Sequence, residues 1–406
     1  MSGPRARLAD LAGCWSAALE RELSAAVALR HDLHRAPCLS GAEHPARDRI
    51  AAALGDAVAL EPVADSGGVG RLGPERGRAV AVRAELDALP LTERTGAACS
   101  ATNGAMHACG HDVHQAALVA LVRAAAGLDL PVGLVPVLQP REESYPSGAR
   151  DIVAAGALSR FGVAHMIGAH VHPGVAVSAV AAGAGFVNAA ADEIEIRLQG
   201  RGGHGAYPHT ASDTVAAVAQ IAMALPEVVR RAVSPLSPAL LSIGTLTAGD
   251  GAANVLPAHA RILATMRTTD PEDRIRLFHA VRQLADGVAA GFGTVAEVTI
   301  CEGEPALIND SGLAEGADAW LARLGVDRAE PMRSLGADDF SYFGAAVPSL
   351  MMFVGVETEG AADPVDRPSL HDPRFFPSDA SVAAVARALL VGYLAAAEAI
   401  VDADGA

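Results

Sequence analysis

The sequence predicts an α/β fold, in which a mixed, mainly parallel sheet domain is interrupted by a smaller, inserted ferredoxin-like α+β domain. Three observations predict it. Over residues 1–187, apolar runs such as GRAVAVRAEL and VGLVPVLQ alternate with Ala/Leu-rich helical segments, the rhythm of parallel strands joined by crossover helices. Over 188–303 the order becomes strand, helix, strand, strand, helix, strand, the split βαβ pattern. Over 304–406 long helices and short strands return, so this segment is expected to complete the first domain. A chain of 406 residues is also longer than one ordinary core serves.

Taken in order, residues 5–33 carry apolar positions at helical spacing, and LRHDLHRAP continues that helix until Pro37 stops it. A second helix is expected over about 42–54, after the turn signals Ser40 and Gly41. GRAVAVRAEL is a strand leading into Glu85 and Asp87, and a polar, glycine-containing loop follows. The pattern is helical over 116–127, and 132–139 is a strand closed by Pro140. ARDIVAAGALSRFG, 149–162, is expected as a helix closed by glycine, and AHMIGAHVHPG as a strand running into a turn. In the insert, ADEIEIRLQG alternates as a half-buried strand, 213–231 is a long helix, and ALLSIGTLTAGD and HARILATMRTTD are strands. A helix over 271–291 and the strand TVAEVTICEG complete it. After the insert come the helix GLAEGADAWLARLG, the buried strand PSLMMFVGV and a long Ala-rich helix over 378–401.

Composition narrows the chemistry. The chain is 51% hydrophobic but only 4% aromatic, which predicts close-packed elements with small side chains. A net charge of -16 argues against a nucleic-acid partner, whose phosphates require a basic surface. All 31 basic residues are arginine, which excludes a Schiff-base or P-loop lysine. The cysteines Cys14, Cys38, Cys99, Cys109 and Cys301 form no Cys-x-x-Cys, the pattern of a reducing compartment. The N-terminal segment carries acids and no uninterrupted apolar core of signal-peptide type. No later stretch approaches the ~20 charge-free apolar residues of a membrane span. Together these predict a soluble, cytoplasmic protein with no membrane partner.

The chemistry-bearing residues gather where strands are expected to end. In HACGHDVH, Cys109 and His111 have a Cys-x-His spacing that lets both reach one site from a turn. Thiolate and imidazole together suit zinc and its neighbours; a buried thiol beside a hydrogen-bonded histidine is the bland alternative. Glu142 and Glu143 follow a buried strand directly, and adjacent carboxylates repel unless a cation or proton separates them. One could bind metal while the other serves as a base; a solvated loop is the alternative. His170 and His172 close the next strand, expected to face opposite sides if extended, so that only one of them joins the site. His371 lies in a Pro-bounded loop, PSLHDPRF, where a histidine is commonly just exposed.

RAELDALP, HACGHDVH, LQPREES, GAHVHPG, GRGGHGAYPH, NVLP, ATMRTTD, ADDFSYF and SLHDPRF occur in this order along nearly the whole chain. They resemble the signature segments of the amidohydrolase branch of the aminoacylase and carboxypeptidase metallopeptidases, which includes hippurate hydrolases, N-acyl-amino-acid amidohydrolases and auxin-conjugate hydrolases. The resemblance implies a metal-dependent enzyme that cleaves the amide bond of an N-acyl amino acid or related conjugate with a metal-activated water. A dipeptidase or carboxypeptidase, or a non-catalytic metal- or ligand-binding relative, is the alternative.

Carried over position by position, the resemblance implies two divalent ions, Zn2+ first and Mn2+, Co2+ or Ni2+ as alternatives, held by Cys109, His111, Glu143, His170 and His371. Glu142 would be the general base, and Asp87 would orient an imidazole ligand by accepting its other N–H. His204 would reach the partner subunit's site to stabilise the oxyanion; a plain turn histidine is the alternative. Asn254 and Arg267 would hold the substrate carboxylate, unless Arg267 simply pairs with Asp270 or another acid. The insert would act as lid and dimerisation domain, giving a homodimer or larger homo-oligomer. Departures from the pattern are Glu85 for a usual aspartate, Asp338 for glutamate, and Arg141 for a small residue. Arg141 and Tyr145 are expected to line the pocket, and His107 and His114 to pack or hydrogen-bond around the turn.

Overall fold

The computed structural model describes residues 4–357 and 367–405. These fall into two compact units. The first comprises the chain up to Gly185, Ile308–Met332 and the chain from Tyr342 onward, and the second comprises Phe186–Leu307 and Arg333–Ser341. The sequence reading placed all of 304–406 in the first domain. Arg333–Ser341 instead belongs with the second unit, where Ser334 N–H bonds the Val187 carbonyl at 2.8 Å and Ala189 N–H bonds the Gly336 carbonyl at 3.0 Å.

The first unit is built on a sheet whose strands lie in the order Leu60–Val63, Gly67–Gly70, Gly133–Gln139, Ala79–Glu85, Val163–His172, Ser349–Gly355, Val180–Ala181. The four from Gly133–Gln139 to Ser349–Gly355 are parallel, and antiparallel strands flank them. Ala79–Glu85, Gly133–Gln139 and Ser349–Gly355 are buried along their whole length, which the unbroken apolar runs anticipate.

The helices Pro4–Arg35, His111–Ala125 and Ala380–Gly405 pack on one another beside this sheet. Their small residues allow close approach: a Cβ on Gly392 would lie 2.4 Å from Ile167 Cγ2. Two aromatics lock the layer with their polar tips satisfied. Trp15 Nε1 donates to the Leu121 carbonyl at 3.0 Å, and the Tyr393 hydroxyl donates to the Val132 carbonyl at 2.8 Å. Ala380–Asp404 is long and apolar enough to cross a membrane, which the sequence reading did not allow for. Val385, Leu389, Leu390, Leu394 and Ile400 account for that apolarity, because they form part of the core.

Two boundaries differ from expectation. The helix expected at 116–127 begins at His111, because Gly110 adopts a left-handed φ of 82° and turns the chain into it. The segment 149–162 is two short helices, Gly148–Ala154 and Ala157–Arg160, separated at Gly156, whose φ is 67°.

The second unit has an antiparallel sheet in the order Ala239–Ala248, His259–Thr268, Ala190–Gln199, Val295–Glu302. Helices Thr214–Ala232 and Pro271–Gly291 cover one face, packing Ile221, Leu225, Leu277 and Val281 around Ile194, Ile196 and Ile262. Connectivity and order are ferredoxin-like. Both helices are capped by aspartate: Asp213 accepts from Ala216 N–H, and Asp270 from Glu272 and Asp273 N–H.

Candidate metal centre

Parallel strands deliver their C-terminal ends to one edge, and the site lies there. Ala79–Glu85 pairs with Val163–His172 only as far as Val82 opposite Ile167, whereas Ser349–Gly355 follows the latter strand to His172. Beyond Val82 and Ile167 the two strands part. The first turn of helix His111–Ala125 closes the gap, with Gln115 Nε2 donating to the Glu85 carbonyl at 2.8 Å and His111 Nδ1 donating to the Asp87 carbonyl at 2.8 Å.

That bond decides the tautomer of His111. In the neutral ring Nδ1 holds the proton and Nε2 the lone pair, and this buried Nε2 has no hydrogen-bond partner. It lies 3.8 Å from Glu142 Oε2 and 4.0 Å from Glu143 Oε1. His170 is set similarly: Nδ1 donates to the Val171 carbonyl at 2.7 Å, and Nε2 stands 3.4 Å from Cys109 Sγ. His371 Nε2 lies 3.4 Å from Glu143 Oε1, which is buried and makes no hydrogen bond. His371 reaches this place through a left-handed φ of 66°, and its own N–H bonds the Ala108 carbonyl at 2.9 Å.

Donor atoms of Cys109, His111 and Glu143 lie within 4.8 Å of one another. Aimed imidazole lone pairs, a thiol and an unbonded carboxylate oxygen in one buried place suit a borderline divalent cation, so the residues fit the metal that the sequence implies. Burial holds the His170 imidazole well below its ordinary value and so neutral. Burial also opposes charge on His111, but the carboxylates of Glu85, Glu143 and Asp87 outweigh it and raise the imidazole. Burial opposes the Glu143 carboxylate too, yet His371 and His111 lower it.

Asp87 acts differently from expectation. Its backbone carbonyl, not its carboxylate, takes the His111 proton; Oδ1 is 3.7 Å from His111 Nδ1. Its other oxygen accepts from Ser40 Oγ at 2.6 Å and from Glu143 N–H at 2.9 Å, which fixes the loop bearing the paired glutamates.

His170 and His172 do not face opposite sides as expected: two residues apart in one strand, they leave the same face, so alternation does not separate them. His172 is diverted by the turn: its Nδ1 accepts from Gly174 N–H at 3.0 Å, and its ring lies 5.8 Å from that of Phe353. His107 is buried with neither ring nitrogen hydrogen-bonded, and burial pushes it down to about 3. Arg141 is committed to scaffold contacts, with Nε donating to the Pro146 carbonyl at 2.9 Å, one terminal nitrogen to the Ala64 carbonyl at 3.1 Å, and the other to Asp151. Tyr145 is exposed.

The remaining expected residues lie in the second unit. His204 is exposed in a short ribbon with Val255, its Nδ1 accepting from Ala206 N–H at 3.1 Å. Asn254 is exposed, and its carbonyl accepts from Gly205 N–H at 2.8 Å. Arg267 bonds Thr265 Oγ1 and the Met266 carbonyl, and among the described residues it has no carboxylate partner; Asp270 caps a helix instead.

Sequence reasoning passed over two groups. Glu85 appeared only as a departure, yet it is buried against Arg83 and bonds His114; the spacing of His114 three residues after His111 was the available signal. Arg30, His34, Glu93 and Asp112 form a second buried charged network.

The sequence matches the peptidase family M20/M25/M40 over residues 81–388. It is 33% identical over 334 residues to the N-acetylcysteine deacetylase of Bacillus subtilis, covering 80% of this chain and 87% of that one. It is 33% identical over 319 residues to the N-acetyldiaminopimelate deacetylase of Shouchella clausii, covering 78% and 82%. The structure resembles that of the Bacillus subtilis YXEP protein, described as a dinuclear metal-binding peptidase, with a TM-score of 0.80 at 27% identity over 93% of this chain and 99% of that one.

Proposed function

The chain belongs to peptidase family M20/M25/M40 and is a metal-dependent amide hydrolase, and from that premise we propose that its substrate is an N-acyl amino acid, deacylated with Glu142 as general base. The observation that carries the reading is the pair Glu142 and Glu143 at a strand end, both facing His111 Nε2. One carboxylate suffices for a ligand; the second is then available to move a proton. The deacetylase names of the relatives support an N-acetylated amino acid as the class.

Two divalent ions would be held by Cys109, His111, Glu143, His170 and His371, with Zn2+ favoured by the thiol and imidazoles. When bound, such ions polarise the scissile carbonyl and make water a nucleophile near neutral pH. Glu142 takes the proton of the attacking water and returns it to the leaving nitrogen. Asp87 keeps the glutamate loop and His111 in register. His204 is proposed as the oxyanion donor, and Asn254 and Arg267 as the groups that bind the substrate carboxylate, a task suited to the guanidinium fork. The insert is proposed as the dimerisation element.

The test is amine release from a panel of N-acetyl amino acids and free dipeptides, using enzyme of measured metal content. Hydrolysis confined to the acylated substrates is expected. Glu142→Gln should keep its metal and lose ~10²–10⁴-fold in kcat. Undiminished turnover in that variant overturns the assignment of the base, and preference for free dipeptides overturns the substrate class.

A further inference from the structure

We propose that Glu85 and His114 form a positioning device that aims His170 into the metal centre. The inference rests on the reading of His170 as a ligand.

Donor atoms of Glu85, His111, His114 and His170 lie within 4.8 Å of one another, all in buried residues, so the cluster resembles a further metal site. The hydrogen bonds assign His114 another role. Its Nε2 accepts from Val171 N–H at 3.0 Å and therefore carries no proton, while Nδ1 donates to Glu85 Oε2 at 2.9 Å. Both ring nitrogens are engaged, and no lone pair is left for an ion.

The need for this contact comes from the sheet. Beyond Ile167, strand Val163–His172 has lost Ala79–Glu85 as a neighbour, and Val171 N–H is buried with no strand to receive it. His114 supplies the acceptor that the missing strand would have provided. Glu85 is in turn held on two sides. Arg83 pairs with its other oxygen, and Gln115 Nε2 holds its backbone carbonyl at 2.8 Å.

Val171 relays the constraint. Its N–H is held by His114, and its carbonyl accepts the Nδ1 proton of His170 at 2.7 Å, which turns His170 Nε2 toward Cys109 Sγ, 3.4 Å away. The His114 ring also packs edge-on against the His170 ring, with centroids 4.6 Å apart at 62°. The path from Glu85 through His114 and Val171 thus fixes both the tautomer and the orientation of His170. Partners of this kind typically contribute ~10–100-fold to metal affinity.

The experiment compares wild type, His114→Leu, His114→Gln and His170→Ala by Co2+ titration against a competing chelator, by the cobalt–thiolate absorption band, and by thermal melts of the metal-free proteins. His114→Leu cannot accept the amide proton, and it should bind one of the two ions ~10–100-fold more weakly with a shifted band. His114→Gln can accept from Val171 and donate to Glu85, and it should restore affinity and band toward wild type. Wild-type affinity and band in His114→Leu overturn the proposal, as does equal weakening in both variants. If His114→Leu does not fold, His114→Gln decides: an unshifted band supports the role, and a band displaced as in His170→Ala overturns it. His170→Ala separates the two levels. Retention of both ions by that variant removes the ligand reading itself, whereas loss there with none in His114→Leu removes only the positioning role.

Discussion

Val171 occupies the space that any side chain on Gly110 would need: a Cβ there would lie 2.4 Å from Val171 Cγ2, and Gly110 has a left-handed φ of 82°. Gly110 stands between Cys109 and His111, and Val171 follows His170. The contact therefore presses the loop that carries two of the proposed ligands against the strand that carries a third.

Gly110→Ala is expected to fail for two separable reasons. The left-handed backbone costs an alanine ~1–2 kcal/mol, and the clash adds ~1–3 kcal/mol of overpacking. The variant should melt lower and bind metal more weakly, because relief of the clash moves Cys109 or His170. Adding Val171→Ala removes the clash but not the backbone penalty. The double variant should therefore bind metal more tightly than Gly110→Ala alone, a coupling read by a double-mutant cycle. Strict additivity of the two changes would contradict this account.

The buried network under the site predicts a stability plateau in mildly acidic solution. His34 Nδ1 donates to Asp112 Oδ2 at 3.1 Å and Nε2 to Glu93 Oε1 at 3.1 Å, a pattern that requires the imidazolium. Burial opposes that charge, but Asp112 and Glu93 outweigh it and raise His34 from 6.5 to about 9. Burial likewise opposes Glu93, yet His34, Thr95 and Ala101 N–H hold it at about 2 instead of 4.5. The raised His34 contributes fully below pH 6.5 and loses its contribution as pH rises through about 9. The lowered Glu93 contributes fully above pH 4.5 and loses it as pH falls through about 2. Between pH 4.5 and 6.5 both are complete. Urea unfolding of the metal-free protein should therefore lose about 2–3 kcal/mol between pH 6.5 and 9. His34→Gln should flatten that alkaline slope; an unchanged slope would show that another group carries it.

These residues also mark how far local pattern reaches. The strands, the insert and the ligand candidates at strand ends were legible, because period, punctuation and residue chemistry are local properties. The pairing of Arg30 and His34 with Asp112 was not, since it joins one helix to the first turn of another some 80 residues away and follows from tertiary packing alone. Helical period also missed the start at His111, where the polar sequence HDVH is buried by hydrogen bonding rather than by apolarity. Strand alternation could not choose between His170 and His172. A turn amide takes the second, while Val171 and Cys109 flank the first.

His371 predicts a trade between stability and binding. It is a non-glycine residue at a φ of 66°, its side chain is 51% exposed, and its backbone N–H ties the loop to Ala108. Such a backbone strains an L-residue by ~1 kcal/mol or more. Glycine would relieve it, offset in part by the greater freedom glycine gives the unfolded chain. His371→Gly should thus leave the metal-free melting temperature close to wild type or slightly above it. The same substitution removes the imidazole that faces Glu143, so the stabilisation gained on adding metal should shrink. A fully competent site at 100 times its dissociation constant contributes ~2.7 kcal/mol per ion, so the loss of one ion is measurable by melts with and without Zn2+. His371→Asn, which tolerates the left-handed backbone but is too short to replace the imidazole, should lose the same increment. An undiminished metal-dependent rise in both variants would show that this histidine is held in its strained conformation for some purpose other than ligation.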